Sequence, residues 1–420
     1  MKMPNLFSSR NQLIGIVTLV LLLAACSLLP GITGPLQNTQ AVTTVQPAPV
    51  NNATPSAPTL IPRDWQPQLA PSISQNVPFW YATSLVVTSD ANLWIVTAGG
   101  VDLSTTPNGG SWLIRYNLVS GALVTYTVPV GGMGVPDRLL VAQDGTLWGI
   151  GMEFAGSAEQ ARKLQIEYAS KPRWLLSRYD AATDRFVEIH DADGLVQGDS
   201  AREIFQDKEG DLWLLIHAGV HDNVVRYNPV TNQATQLPLE PQLANMSLHG
   251  IDHIVLAPDD SLWFTSQGTK AINWKVKVLR YDFNTEALQD YGYPLGEHSV
   301  LPNLYFDKAG RLWTTSTAWL DLQSSASPQW HFKTLPDVFL VDYIDPVKER
   351  HHFEWLEPDQ IFESSDGMFW FSATAGLVKY DWQKDKWYLV GSVGSAVAED
   401  RHGNIWTAWE NQIYQYKPQP

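Results

Sequence analysis

From about residue 80 to the end of the chain, short apolar runs alternate with small clusters of Asp, Gly and Asn. Runs of this length with β-branched and aromatic residues predict strands, and the polar clusters suit tight turns that need positive φ. The alternation is periodic. SDANLW at 89–94 recurs as QDGTLW at 143–148, DKEGDLW at 207–213, PDDSLW at 258–263, DKAGRLW at 307–313, SSDGMFW at 364–370 and DRHGNIW at 400–406. In each copy an apolar strand precedes the turn, and a second strand opens on the tryptophan.

A third strand follows as WLIRYN at 112–117, LLSRYD at 175–180, VVRYN at 224–228, VLRYD at 278–282 and LVKYD at 377–381. In the fifth and seventh units FLVDYID at 339–345 and QIYQYKP at 412–418 are assigned to this role as degenerate versions. A polar turn and a fourth strand, such as RFVEIH at 185–190, complete the unit. Four short antiparallel strands repeated seven times predict an all-β chain: a seven-bladed β-propeller of four-stranded antiparallel blades. The seventh unit stops at its third strand, near Tyr416, so the segment 60–80 is expected to donate the closing strand.

These units resemble the two-component-regulator propeller repeat, with its apolar strand, D-x-x-G-x-L-W turn and strand ending near R-Y-D. The copies at 207–213, 307–313 and 400–406 match that turn most closely. The resemblance implies an extracytoplasmic sensor or binding module, although the kinase that usually follows in that family has no counterpart here. PDDSLWFT at 258–265 also resembles the repeats of streptogramin lyase, which carries His and Glu after such strands and uses magnesium. Ser266 and Gln267 stand at that place in this chain.

Upstream of the repeats, Lys2 and Arg10 form a basic region before an apolar stretch from Leu13 to Leu23, which ends in Leu23-Ala24-Ala25-Cys26. This resembles a bacterial lipoprotein signal, which implies cleavage before Cys26, lipid on its thiol and an anchor in a membrane of the cell envelope. Residues 1–25 are read as the signal peptide and 26–60, uncharged and rich in Pro, Thr and Gln, as a flexible linker. The propeller occupies 61–420. Cys26 is the single cysteine, so no intramolecular disulfide forms.

The chain carries 28 basic and 43 acidic residues, a formal charge of −15. With so few clustered cations, nucleic acid is excluded as a partner. Arg138 and Arg202 leave a local exception for an anion. No nucleophile elbow, H-E-x-x-H pair or phosphate-cradling glycine loop occurs, and no catalytic residue is assigned.

Propeller geometry places the second-to-third and blade-to-blade connections on one face. The distance from repeat Trp to third-strand Tyr is 22, 31, 14, 18, 30, 10 and 10 residues, which puts the long loops in blades one, two, four and five of that face. Ten residues before each repeat Trp lie Ser84, Arg138, Glu203, His253, Asn303, Gln360 and Ala396, expected at the channel mouth on the same face. The first six are the candidate ligand-binding ring. Strand ends are also polar simply because they meet solvent, and that alternative stays open. Trp112, Trp174, Trp274, Trp319 and Trp330 are candidates for an aromatic loop face that would stack on a protein or glycan ligand.

His217, His221, His249 and His253 with Asp252 form a histidine-rich neighbourhood, but their spacing demands no metal. His351 and His352 are placed on the short-turn face. No cofactor is assigned, with calcium or magnesium as the ions a channel site would take. The function expected is a lipid-anchored binding, sensor or scaffold module. The alternative is a streptogramin lyase-like or lactonase-like enzyme with a divalent cation in its channel.

Overall fold

The computed structural model describes residues 68–69, 81–98, 112–126, 133–153, 174–190, 194, 200–218, 221–269, 275–292, 303–315, 318–322, 328–332, 342–344, 350–352, 360–373, 376–391, 396–409 and 412–417. The expected signal peptide, the linker and Cys26 lie outside them, as does Trp274.

The first strands of blades one to seven are Tyr81–Val87, Met133–Val141, Ser200–Gln206, Leu248–Leu256, Leu304–Phe306, Gln360–Glu363 and Val397–Glu399. In blades one to six each leads an antiparallel sheet of four strands in sequence order. The seventh has three strands of its own, and its fourth is Gln68–Leu69, paired with the third through Gln68–Gln415 and Leu69–Tyr414. The ring therefore closes with the N-terminal strand, as the truncated seventh repeat predicts. Tyr81 of blade one also pairs with Trp409 across the same seam.

The repeat turn explains why each unit folds as it does. Asp207 is buried; one carboxylate oxygen accepts the Asp211 N–H at 2.8 Å, and the other accepts the Trp213 indole N–H at 2.9 Å. Asp307 and Asp400 repeat both contacts with Arg311 N–H and Trp313, and with Asn404 N–H and Trp406. Ser364 accepts the Trp370 indole at 3.0 Å, and Ser261 does so for Trp263 at 2.9 Å, where Ala257 occupies the aspartate position. Between turn and Trp sits a residue with φ between 61° and 92°, a glycine in five of the units and Ala91 or Asp260 in the other two.

Each anchored tryptophan is then pushed sideways into its neighbour. Trp213 packs on Ile251, Phe264 and Leu279 of blade four, and Trp313 on Ile361, Phe369 and Phe371 of blade six. Trp406 of blade seven packs on Leu85, Ile95 and Ile114 of blade one, so the apolar contacts run through the seam. All seven repeat tryptophans are buried.

Blade five departs from the sequence expectation. Its third strand is Ala318–Asp321, not 339–345, and its fourth is Gln329–Phe332. Trp313 pairs with Trp319 where blades one to four pair Trp with Arg, as in Trp213–Arg226, and Leu320 takes the tyrosine position. The R-Y signature is replaced by W-L, so the repeat pattern does not mark a strand that begins almost at once after the second. Residues 342–344 pair instead with 350–352 in a separate hairpin inserted before blade six. His351 and His352 belong to that hairpin rather than following a third strand of blade five. The extra length of blade five is a blade-to-blade insertion rather than a second-to-third loop.

The carboxylate that holds the turn and the indole together has no replacement in an apolar side chain. Asp307→Ala is expected to lower unfolding free energy by about 2–4 kcal/mol, and Asp307→Asn by roughly half of that, in urea denaturation at pH 7.

Candidate functional site

The early halves of the first strands converge on one cavity of about 510 Å3. Its walls include Ser84, Arg138, Glu203, His253, Asn303 and Gln360, so the structure assembles all six residues read from the repeat register. Backbone periodicity explains the convergence, since each of the six occupies the same position relative to its repeat Trp.

Several of these side chains are held by the fold. Ser84 Oγ accepts the N–H of Leu139 in the next blade at 3.1 Å, and Glu203 Oε2 accepts that of Ile254 at 2.6 Å. Gln360 Oε1 accepts the Val397 N–H at 2.9 Å, and its amide reaches the Val397 carbonyl at 3.3 Å. The three contacts share one register: the side chain binds the residue just after the equivalent position in the following blade. They clasp neighbouring first strands, which is a structural reason for polarity at this position that the sequence alone could not separate from ligand binding. Arginine has no acceptor, and Arg138 turns back to donate to the Thr83 carbonyl at 2.5 Å while its side chain stays exposed.

Chemistry concentrates where blades three and four meet. Glu203 Oε1 lies 2.5 Å from His253 Nδ1. With the proton on Nδ1 the imidazole donates to the carboxylate, and Nε2 is left as an acceptor. His217 Nδ1 is likewise 2.7 Å from Asp222 Oδ1, while Asp222 Oδ2 accepts the Ile251 N–H at 2.8 Å. Gly250 makes this approach possible, because at φ +60° a Cβ there would come within 2.2 Å of Asp222 Oδ2. Asp222 had no signal in the repeats.

Asp252 faces Arg202 at 3.4 Å. Burial pushes its carboxyl up to about 6; Arg202 and His253 oppose that rise and Asp222 adds to it.

A divalent cation does not suit this mouth. Both Glu203 oxygens are engaged by His253 and Ile254, and Arg138 lines the same cavity, whereas calcium and magnesium take several free oxygen ligands. Among the described residues, no group of three or more His, Cys, Asp or Glu is placed to hold a metal ion. Ser266, at the lyase-like position, is buried and donates to the Gly250 carbonyl at 2.7 Å.

Two of the five aromatic candidates have described side chains. Trp319 and Trp330 lie on strands of blade five and serve its packing. Trp319 stacks on His331 with centroids 4.0 Å apart, and Trp330 is buried with its indole donating to the Tyr291 carbonyl at 2.9 Å. Arg311 sits over Trp382 at 4.1 Å, joining Trp313 and Trp319 in an aromatic cluster between blades five and six. Trp112 and Trp174 open the third strands of blades one and two, with their side chains outside the description.

No protein-family model and no curated protein matches the chain. Solved structures do. The extracellular domain of a B. thetaiotaomicron protein assigned to the hybrid two-component systems aligns with a TM-score of 0.55 at 15% identity, over 85% of this chain and 44% of that one. Streptogramin B lyase aligns at 0.52 with 15% identity, over 84% and 97%. A structure of YCF48 bound to D1 peptide aligns at 0.52 with 12% identity, over 87% and 98%. What these likenesses show is the fold. It is the propeller that the repeat implies, shared with both kinds of protein its units resemble.

The sign of the Asp252 effect is definite. Its carboxyl holds a proton more tightly in the folded chain than in the unfolded one, so stability falls as pH rises from about 4 to about 6. Asp252→Asn should match the wild type at pH 4 and exceed it at pH 7 by roughly 2 kcal/mol, measured by denaturant unfolding across that range.

Proposed function

We propose that the chain is an extracytoplasmic binding module, lipid-anchored through Cys26, that takes a polar protein segment or glycan at the channel mouth. The observation that carries this reading is the assembly of six register-equivalent residues from successive blades around one cavity. Ser84, Glu203 and Gln360 are spent on inter-blade clasps, and of the other three, Arg138, His253 and Asn303, the first two offer the clearest chemistry toward a ligand. Arg138 offers guanidinium donors, and His253 Nε2, with Nδ1 committed to Glu203, accepts from a hydroxyl or amide N–H. The extracellular origin of one propeller and the bound peptide in another support the setting and the ligand class.

A lyase-like or lactonase-like activity is the second reading, and the Glu203–His253 pair is the feature that favours it. A carboxylate-oriented imidazole is able to serve as a general base. The engaged carboxylate and the buried Ser266 weigh toward binding instead.

Immobilised protein should capture a component from envelope extracts or a glycan array. Arg138→Ala and His253→Ala should each reduce capture about tenfold or more while leaving the melting temperature nearly unchanged. Capture unaffected by both variants removes the mouth as the binding site. Turnover of lactone substrates that is lost with His253→Ala would establish the second reading. Labelled palmitate should enter the wild-type chain and be absent from Cys26→Ser.

A further inference from the structure

The first strand of blade four is irregular where it reaches the channel mouth. Blades one and three bulge there by a single residue, Thr83 and Arg202. In blade four the ladder passes from His249–Gln267 to His253–Thr265, so Gly250, Ile251 and Asp252 stand against one residue, Ser266. Side chains of blade three hold this longer bulge. Asp222 and Glu203 make the same double contact at its two ends. One oxygen accepts a blade-four N–H, of Ile251 or Ile254, and the other meets an imidazole Nδ1, of His217 or His253. Asp252 lies between the two clasps, with Arg202 at 3.4 Å.

Blade three brings Arg202 and Glu203 on its first strand, His217 on its second and Asp222 on its third, which opens at His221. The bulged strand adds His253 and exposed His249, and the second strand of blade four, Leu262–Gly268, carries no titratable residue. Tyr305 of blade five accepts the Glu363 N–H, toward blade six, and Glu240 on the short helix Glu240–Asn245 is exposed. With the imidazoles neutral, the carboxylates of Glu203, Asp222 and Asp252 face one guanidinium, a balance of −2. It becomes +1 when Asp252, His217 and His253 all hold protons. Each of those protons acts in one direction. It removes repulsion at Asp252, or it gives Glu203 or Asp222 a cation to hold.

We propose that segment 250–254 is a proton-operated latch at the channel mouth, seated against blade three in mild acid and loosened at neutral pH. His253 belongs both to this segment and to the cavity wall, so the latch sets how firmly its imidazole is presented there. Only that last consequence rests on the binding role proposed for the mouth. The sign follows from Asp252, whose carboxyl burial raises to about 6 from an ordinary 3.8. Once the segment opens, the carboxyl returns to its ordinary value and gives up its proton more readily. Opening is therefore favoured progressively as pH rises toward about 6, and this contribution levels off above it.

The test is peptide-resolved hydrogen exchange of the full-length protein in detergent between pH 5 and pH 7. No ligand is added, so the outcome is independent of whether the mouth binds one. After correction for intrinsic exchange, protection of the strand Leu248–Leu256 should fall about tenfold over that range, while Tyr81–Val87 of blade one changes little. Asp252→Asn should lose most of that fall and keep the protection seen in acid. Arg202→Gln removes the cation that opposes protonation of Asp252, so the levelling-off should move to higher pH. A flat wild-type profile overturns the proposal, as does a fall that Asp252→Asn leaves at full size. A fall shared equally by blade one also overturns it, because Asp252 would then act on global stability alone.

Discussion

The ring depends on burying a tryptophan between neighbouring blades, and in five of the seven units the indole N–H finds its acceptor within its own turn. A tryptophan between two blades is the largest apolar wedge available, but its nitrogen cannot be buried unpaired without a cost on the order of 1–3 kcal/mol. The chain solves this with the aspartate at the start of the same turn, as in Asp307 with Trp313. One carboxylate thereby closes the turn, orients the ring and aims it at the next blade. In blades four and six, where the aspartate is lost, serine takes over, either in place at Ser364 or further along at Ser261.

Polar clasps at both ends supplement these wedges. At the channel mouth the clasp acceptors sit on first strands, and at the turn end they precede the repeat Trp of the following blade. Both are one-sided contacts, a side chain of one blade on the backbone of its neighbour. Blades can therefore vary in loop length without disturbing the ring, as blades two and five do. The two ends differ in what remains. At the mouth, clasping engages Ser84, Glu203 and Gln360 and leaves Arg138, His253 and Asn303 as the other register-equivalent side chains of the rim. At the turn end the contact, as from the Gln143 N–H to Gln206, is made among the described residues at three of the seven junctions.

The blade number, the seam and the cavity-lining residues were legible in the sequence because they follow from register alone. Seven tryptophan turns fix the phase of every first strand, and Ser84 to Gln360 then fall on one rim. The clasps were not legible, since polarity at a strand position does not say whether its partner is backbone or solvent. Asp222 escaped for a different reason: it has no equivalent in other blades, and its role rests on the close approach permitted by Gly250. Blade five was misread because Trp319 and Leu320 replace the Arg and Tyr that mark the third strand elsewhere. Trp319, half-buried, packs on a strand of blade five against Trp313 and Trp382.

The seam bears on how the chain reaches its native state. Gln68 and Leu69 find Gln415 and Tyr414 only after nearly the whole chain has been made, so the most non-local pairing in the molecule is also one of its shortest. Closing so long a loop has a large entropic cost set against two residue pairs, and it is repaid only when the Trp406 packing on blade one forms as well. Blades can thus assemble in order during synthesis or translocation while the ring stays open, and cooperativity arrives with the last step. The same two-residue junction makes the N-terminal side the weakest grip on the ring, and a pull from that direction would unzip the seventh blade before any other.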